Sequence, residues 1–407
     1  MVLRAALAIL ALAVLSPVFY ERTQTLSLFW KNAPGRLERI DNFGSHEIKF
    51  ADRIRSCEDA LLVESEGVAI LACDPGREKW NTVMGVFLPG PVPSGELYIY
   101  DYKDAKASDT ESLKRLEFVD FEVQDDFHTL GIAYDEATST LFAASHRHDQ
   151  PAIEVFKLDL KAYTAKHLGS IQHPLIHGPN SIALINSHEL YVTNTNYFLV
   201  KDHPILNKVE TYLGLPIASV VHVDFSAFLE NPSNPVQANT VARLAFANGI
   251  EILNETTVVV ASTSRAAIHF YTATKSDDGD GDGGETRTLT HASQLRVPFL
   301  VDNLSVAGDG ALLIAGHPHL PSLGRFAHSR HVCNSPEELA AADPATREGC
   351  AAAASPSWVA EWTEAGGLRH LYADTEYPSS ATAARDAARK VGIVSGLYAK
   401  GILVWRE

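Results

Sequence analysis

Six oxygen-bearing side chains recur at one place in the pattern of this 407-residue chain. Asn180 (in PNSI), Asn248 (in ANGI) and the pair Asp302 and Asn303 (in VDNLS) each stand just before an apolar, strand-like run. Glu58 and Asp59 (in CEDALL) hold the same place near the start. An all-oxygen set of carboxylates and amide carbonyls suits calcium, which takes about six to eight oxygens in an irregular cage. Zinc would draw histidine and cysteine. Two or three negative charges held together repel one another unless a cation sits between them. One such Asn or Asp would read as an ordinary turn residue. Four at the same repeat position point to a shared site.

Residues 122, 68 and 54 positions apart (Glu58 to Asn180, to Asn248, to Asp302) need a scaffold that returns them to one place. Short β-favouring runs supply it: GVAILAC, GELYIYDY, STLFAASH, AIEVFKLDL, ELYVTNT, ASVVHVDF, TTVVVAST, GALLIAGH and GILVWRE, each flanked by turn residues. LGIAYDEATSTLFAAS, NSIALINSHELYVTN, NGIEILNETTVVVAS and DNLSVAGDGALLIAG share one cadence of turn, strand, polar turn and strand. Gly131, Ser181, Gly249 and Leu304 are equivalent in it, at intervals of 50, 68 and 55 residues. A propeller blade of four strands takes roughly 40–55 residues. The expectation is therefore all-β: one six-bladed β-propeller over 21–407, with a central calcium tunnel faced by the equivalent point of every blade. A β-sandwich does not account for so long a repeat. Two patches look helical, one from Ser335-Pro336-Glu337-Glu338 and an alanine-rich one at 380–390, and both are expected on surface insertions. The acidic run 275–285 lacks the frame of an EF-hand and reads as a turn.

Residues 1–20 form a hydrophobic N-terminal segment, expected as a helix. Its apolar run over 5–15 is short for a membrane span and fits a signal peptide. No small-x-small cleavage pair follows Leu15, so an uncleaved membrane anchor is the alternative. Either places the protein outside the cytoplasm, secreted or anchored, with membrane association through this segment. Disulfides are then permitted. Cys57 with Cys73 across a hairpin, and Cys333 with Cys350 across one loop, is the simplest of the three connectivities. Asn254-Glu255-Thr256 is a glycosylation sequon on a turn, whereas Asn303-Leu304-Ser305 coincides with a ligand residue. A net charge of −16 excludes nucleic-acid phosphates as a partner. His317, His319, His328, His331 and Cys333 lie close in sequence, and a histidine-rich loop is favoured over a zinc site.

In this order, CED, LGI, PNSI, the TNxxYF-like TNTNYF, ETYLGLPIASVVHVD, FANGI, VDNLS and AGHP resemble the paraoxonase/arylesterase family from about residue 30 onward. FANGI and VDNLS are shared with wider calcium-dependent lactonase propellers, and YLGL is closer to the paraoxonase branch. The resemblance implies a catalytic calcium held by Glu58, Asn180, Asn248, Asp302 and Asn303, and hydrolysis of small-molecule lactones or aryl esters. It implies a second, structural calcium at Asp59, although the Asp that normally follows the tunnel Asn is Ser181 here. The family's catalytic His position is Leu130. His128, two residues earlier, is the stand-in, with His146 (in AASH) as its partner. His317 (in AGHP) is expected in the substrate pocket. The last blade looks short.

The expected chemistry is metal-assisted ester hydrolysis, with water activated by His128 and His146 or by a carboxylate. No G-x-S-x-G elbow supports a serine hydrolase. Two alternatives stand beside it: a non-catalytic propeller that binds a partner and keeps a structural calcium, and a sugar-lactone hydrolase of the same superfamily.

Overall fold

A computed structural model describes Ser16, residues 19–277 and residues 285–407. The apolar run 5–15 and most of the acidic run 275–285 lie outside the described residues. A helix spans 19–31. No helix among the described residues is long and apolar enough to cross a membrane.

The strands form six antiparallel blades around an axis. Blade 1 runs Arg55–Val63, Val68–Cys73, Glu96–Asp101 and Leu113–Arg115. Blade 2 runs Thr129–Asp135, Thr140–Ser145, Ala152–Asp159 and Thr164–Ile171. Blade 3 is Pro179–Leu184, Glu189–Asn194, Ala218–Asp224 and Gln237–Leu244. Blade 4 is Ala247–Asn254, Thr257–Ser262, Ala267–Asp277 and Glu285–Arg296. Blade 5 is Leu300–Val306, Leu312–His317, Ser357–Thr363 and Gly367–Asp374. Blade 6 combines Ser380–Asp386, Val391–Lys400 and Ile402–Arg406 with the N-terminal strand Ser45–Lys49, paired from Ser45 opposite Arg406 to Lys49 opposite Ile402. The first strand of each blade is innermost and packs on the first strand of the next, all the way round.

Alternating side chains face opposite sides of a blade, so both sides must be covered. Six apolar clusters do this, one between each pair of neighbours. Leu141 and Phe156 of blade 2 meet Ile99 of blade 1, and Trp405 of blade 6 meets Tyr372 of blade 5. Cys57 is directly opposite Cys73 across the first hairpin, and the two are disulfide-bonded. Cys333 bonds Cys350, tying the helix Leu320–Cys333 to the helix Pro344–Ala352.

Three sequence expectations fail here. The alanine-rich 380–390 is not a surface helix: Ser380–Asp386 is the inner strand of blade 6 and is buried throughout. Its alanines are small because the strand stands where the ring is narrowest, and tertiary packing overrides their helix propensity. With Ser45–Lys49 contributed from the N-terminus, the last blade has its full four strands and is not short. His328 and His331 also lie on a helix, Leu320–Cys333, rather than a loop. His319 caps its N-terminus by accepting the Ser322 backbone N–H, His328 is exposed, and Cys333 is in its disulfide.

Candidate functional site

Every inner strand carries the same irregularity. The ladder with the second strand shifts register between Cys57 and Asp59, Thr129 and Ile132, Pro179 and Ile182, Ala247 and Ile250, Val301 and Leu304, and Ser380 and Ala383. A bulge re-aims the side chains it contains. The bulged pairs are Leu130 with Gly131, Asn180 with Ser181, Asn248 with Gly249, Asp302 with Asn303, and Ala381 with Thr382, with Glu58 at the shift in blade 1. The equivalence drawn from sequence is thus one residue out in blade 5, where Asn303, not Leu304, matches Gly249. Two glycines are sterically required. A Cβ on Gly131 would lie 2.5 Å from the Asn180 carbonyl oxygen, and one on Gly249 would lie 2.6 Å from the Leu304 nitrogen. These are backbone atoms of the neighbouring blade and cannot give way.

The bulges divide the axis into two cavities. Glu58, Leu130, Asn180, Asn248, Asp302 and His317 line a cavity of about 350 Å³. Asp59, Ser181, Glu251, Asn303 and Thr382 line a second, of about 240 Å³. All five residues expected to hold calcium are buried and meet where the cavities approach each other. Asn248 Nδ2 donates to Asp302 Oδ1 at 2.7 Å and to Thr263 Oγ1 at 3.0 Å. Asn303 Nδ2 donates to Glu58 Oε1 at 3.1 Å and Thr382 Oγ1 at 3.0 Å. Both amides spend their N–H groups on the protein. Glu58 Oε2, Asn180 Oδ1, Asn248 Oδ1 and Asn303 Oδ1 are left buried with no donor. Four orphaned acceptors in one place are costly unless a cation satisfies them. Burial, then the charges of Asp59 and Asp302, pushes the Glu58 carboxyl well above its usual range. The donor set fits calcium.

Asp59 is differently placed. Its Oδ1 accepts from Ala60 N and Thr382 Oγ1, both at 2.8 Å, and its Oδ2 accepts from Ile132 N of blade 2 at 2.8 Å. It staples blades 6, 1 and 2 together with both oxygens already occupied. Sequence reading missed its neighbour Glu251, whose carboxyl is pushed up to about 8 by burial and by Asp59. It also missed Thr382, hidden in the alanine-rich run, and Arg77. Arg77 is buried in the wall of the larger cavity, donates Nη2 to Thr129 O, and has no partner for Nε. It sits in a short 3-10 turn between strands, outside the repeat that exposed the others.

Of the three histidines singled out in the sequence, one lines the larger cavity and two do not. His128 and His146 do not line the larger cavity, whereas Leu130 does. His146 gives Nε2 to the Pro179 carbonyl oxygen at 2.7 Å and pairs Nδ1 with Thr82 Oγ1. Burial pushes it down to about 4, so it is neutral at pH 7. His317 does line the cavity. Its Nε2 is 2.9 Å from Asp302 Oδ2, and its Nδ1 is buried without a partner. Asn254 is exposed at the end of the strand Ala247–Asn254, just before the turn to Thr257–Ser262.

The depressed His146 has a stability consequence. The unfolded chain binds a proton near the ordinary value of about 6.5 that the folded chain refuses until about pH 4. Its contribution is therefore complete above pH 6.5 and lost as pH falls to 4. The shift corresponds to about 3 kcal/mol. Thermal unfolding from pH 7 to 4 should show a shallower acid fall in His146→Gln than in the parent. An unchanged slope would remove His146 as a cause.

A family model for Arylesterase matches residues 84–337. Serum paraoxonase/arylesterase 1 of Mus musculus is 31% identical over 188 residues, 46% of this chain and 46% of that protein. The rat protein of the same name matches to the same extent, so the chain spans about half the length of these two relatives. Serum paraoxonase/lactonase 3 of Oryctolagus cuniculus is 26% identical over 305 residues, 72% of this chain and 75% of that protein. Solved structures similar to this one include a luciferin-regenerating enzyme, at TM-score 0.49, 10% identity and coverage of 89% and 95% of the two chains. A gluconolactonase from Xanthomonas campestris has TM-score 0.46, 13% identity and coverage of 90% and 93%.

Proposed function

This chain belongs to the arylesterase family, and from that premise we propose that it is a calcium-dependent hydrolase of lactones or aryl esters. The observation that carries the proposal is the set of four orphaned oxygens, Glu58 Oε2, Asn180 Oδ1 and Asn248 Oδ1 on residues lining the larger cavity and Asn303 Oδ1 on a residue lining the smaller one. With Asp302 they would hold the ion. Bound there, calcium would supply Lewis-acid stabilisation of the negative charge that develops on a substrate carbonyl oxygen. The chain's own residues do the rest. Arg77 offers an unpartnered N–H from the cavity wall to an oxygen of the substrate. His317, whose Nε2 meets Asp302 and whose Nδ1 is unpartnered, would take a proton from attacking water. His128 and His146, the pair suggested by sequence, face other groups. Apolar side chains including Leu130, Val83, Met84 and Leu323 line the remaining wall and fit the organic part of an ester. A second calcium at Asp59 would have to displace bonds already made, with Glu251, Glu64 and Glu136 as the other carboxylates lining that cavity.

The same proposal places the protein outside the cytoplasm, where its two disulfides are stable, and leaves Asn254 open to glycosylation. Hydrolysis of phenyl acetate, an aliphatic lactone and a sugar lactone, each measured with calcium and with excess chelator, tests it. Chelator-sensitive hydrolysis of at least one is expected, and their ranking separates arylesterase from sugar-lactone chemistry. Leu130 at the ring position, and a cavity without His128 or His146, favour a second reading as a non-catalytic propeller. That reading requires calcium to raise the melting temperature with no chelator-sensitive turnover of any of the three.

A further inference from the structure

Away from the tunnel ring, at the entry to blade 2, an aspartate and two histidines meet. Asp126, His128 and His148 each offer a ligand atom, and these atoms all lie within 4.8 Å of one another. His128 is 2% exposed, and its Nδ1 faces the buried Asp74 carboxylate at 3.3 and 3.4 Å. An Nδ1–H held by Asp74 leaves Nε2 as a bare lone pair. That buried Nε2 has no hydrogen-bond partner and looks onto Asp126 Oδ1 at 3.4 Å. The same oxygen lies 2.5 Å from His148 Nδ1, and the Asp126 carboxylate also accepts the His148 backbone N–H. A buried lone pair set against a carboxylate oxygen is unfavourable unless something positive lies between them.

We propose that Asp126, His128 Nε2 and His148 Nδ1 bind a divalent transition metal of the zinc class, with Asp74 as the residue that orients His128. Zinc ligands at about 2.1 Å in tetrahedral directions stand about 3.4 Å from one another. The His128–Asp126 separation already has that value. His148, 45% exposed at its side chain, withdraws by about 1 Å from its hydrogen bond to complete the set. Trp80 stacks on the His148 ring with centroids 3.8 Å apart, and Lys201 Nζ donates to the His148 carbonyl oxygen at 2.7 Å. The Lys201 bond holds the backbone while the ring slides against Trp80. Asp126 and His148 are open to solvent on their outer side, which leaves a coordination position for water. Two imidazoles and one carboxylate differ in kind from the all-oxygen ring of the tunnel. The two sites therefore sort cations by ligand softness.

Full-length protein saturated with calcium is titrated with Co2+, followed by its visible d–d absorption, and then with Zn2+. One equivalent of cobalt should bind with the spectrum of a low-coordinate nitrogen and oxygen site. Zinc should erase that spectrum, and further calcium should not. His148→Ala, altered at the surface, should weaken cobalt binding at least tenfold. Asp74→Asn, which touches no metal, should weaken it by about tenfold or more. Displacement of cobalt by calcium, or an unchanged spectrum in both His148→Ala and Asp126→Asn, would overturn the site. So would the absence of saturable binding, which would mean that a proton bridges His128 and Asp126.

Discussion

Asn248→Ala should lower calcium-dependent hydrolysis by at least about 100-fold in kcat/KM, the scale on which loss of one group stabilising a developing oxyanion is felt. It should weaken calcium binding in parallel. The side chain acts at two points. Its orphaned oxygen is one of the four left for the ion, and its Nδ2 fixes Asp302 at 2.7 Å. Without that hydrogen bond Asp302 loses one of two restraints and keeps only His317. The companion Glu58→Gln separates the metal from the scaffold. In the calcium-free protein it removes a buried charge that Asp59 and Asp302 oppose, so the melting temperature should rise. With calcium added, the parent should gain stability and Glu58→Gln should gain little. Wild-type turnover and calcium response in both variants would show that the ring neither holds the ion nor serves the chemistry.

Gly249→Ala should destabilise the protein by about 3–5 kcal/mol, although it adds only a methyl group. The new Cβ would sit 2.6 Å from the Leu304 nitrogen and 2.7 Å from Asn303 Cα, with Asn303 C at 2.9 Å. Relief requires blade 5 to move away from blade 4, and a closed ring passes that displacement to every other blade. Because Asn303 is one of the atoms met, calcium affinity should fall with stability. Gly349→Ala is the matched control: its Cβ would meet nothing within 4 Å, and it lies in the helix Pro344–Ala352. There alanine should be neutral or stabilising by up to about 1 kcal/mol. Differential scanning calorimetry of the two variants decides the matter. Equal melting temperatures would mean that the blades are not in the contact described.

The blades were legible because their signal is local. An apolar run after a polar turn, repeated, survives without knowledge of the partner strand, and the pair Cys57–Cys73 follows from it. The oxygen ring was legible for the same reason, since its members share a place in the repeat. Three failures have one origin: they depend on what surrounds a residue. Ser380–Asp386 reads as helix until the crowding at the axis is known. Arg77 and Glu251 reach the cavities from outside the recurrent position. The register between Gly249 and Asn303 hinges on a bulge, an extra residue that sequence cadence does not count. His128 was drawn to attention by its distance from the expected histidine. The side chain instead turns toward Asp74 and Asp126, an orientation that no spacing rule contains.

The strand Ser45–Lys49 belongs to blade 6, and Ser45 pairs with Arg406, 361 positions later. A chain threaded out in order from its first residue therefore makes an early strand that waits, edge exposed, for the last five residues of the sheet. The hairpin holding Cys57 and Cys73 can oxidise long before that. Ring closure comes only after Ile402–Arg406 has emerged, and such distant pairing is slow. Through that interval the exposed edges of an open arc can pair with another chain. Nascent molecules should thus depend on folding helpers far more than the finished ring does, and loss of Ile402–Arg406 should cost more yield than loss of a surface loop.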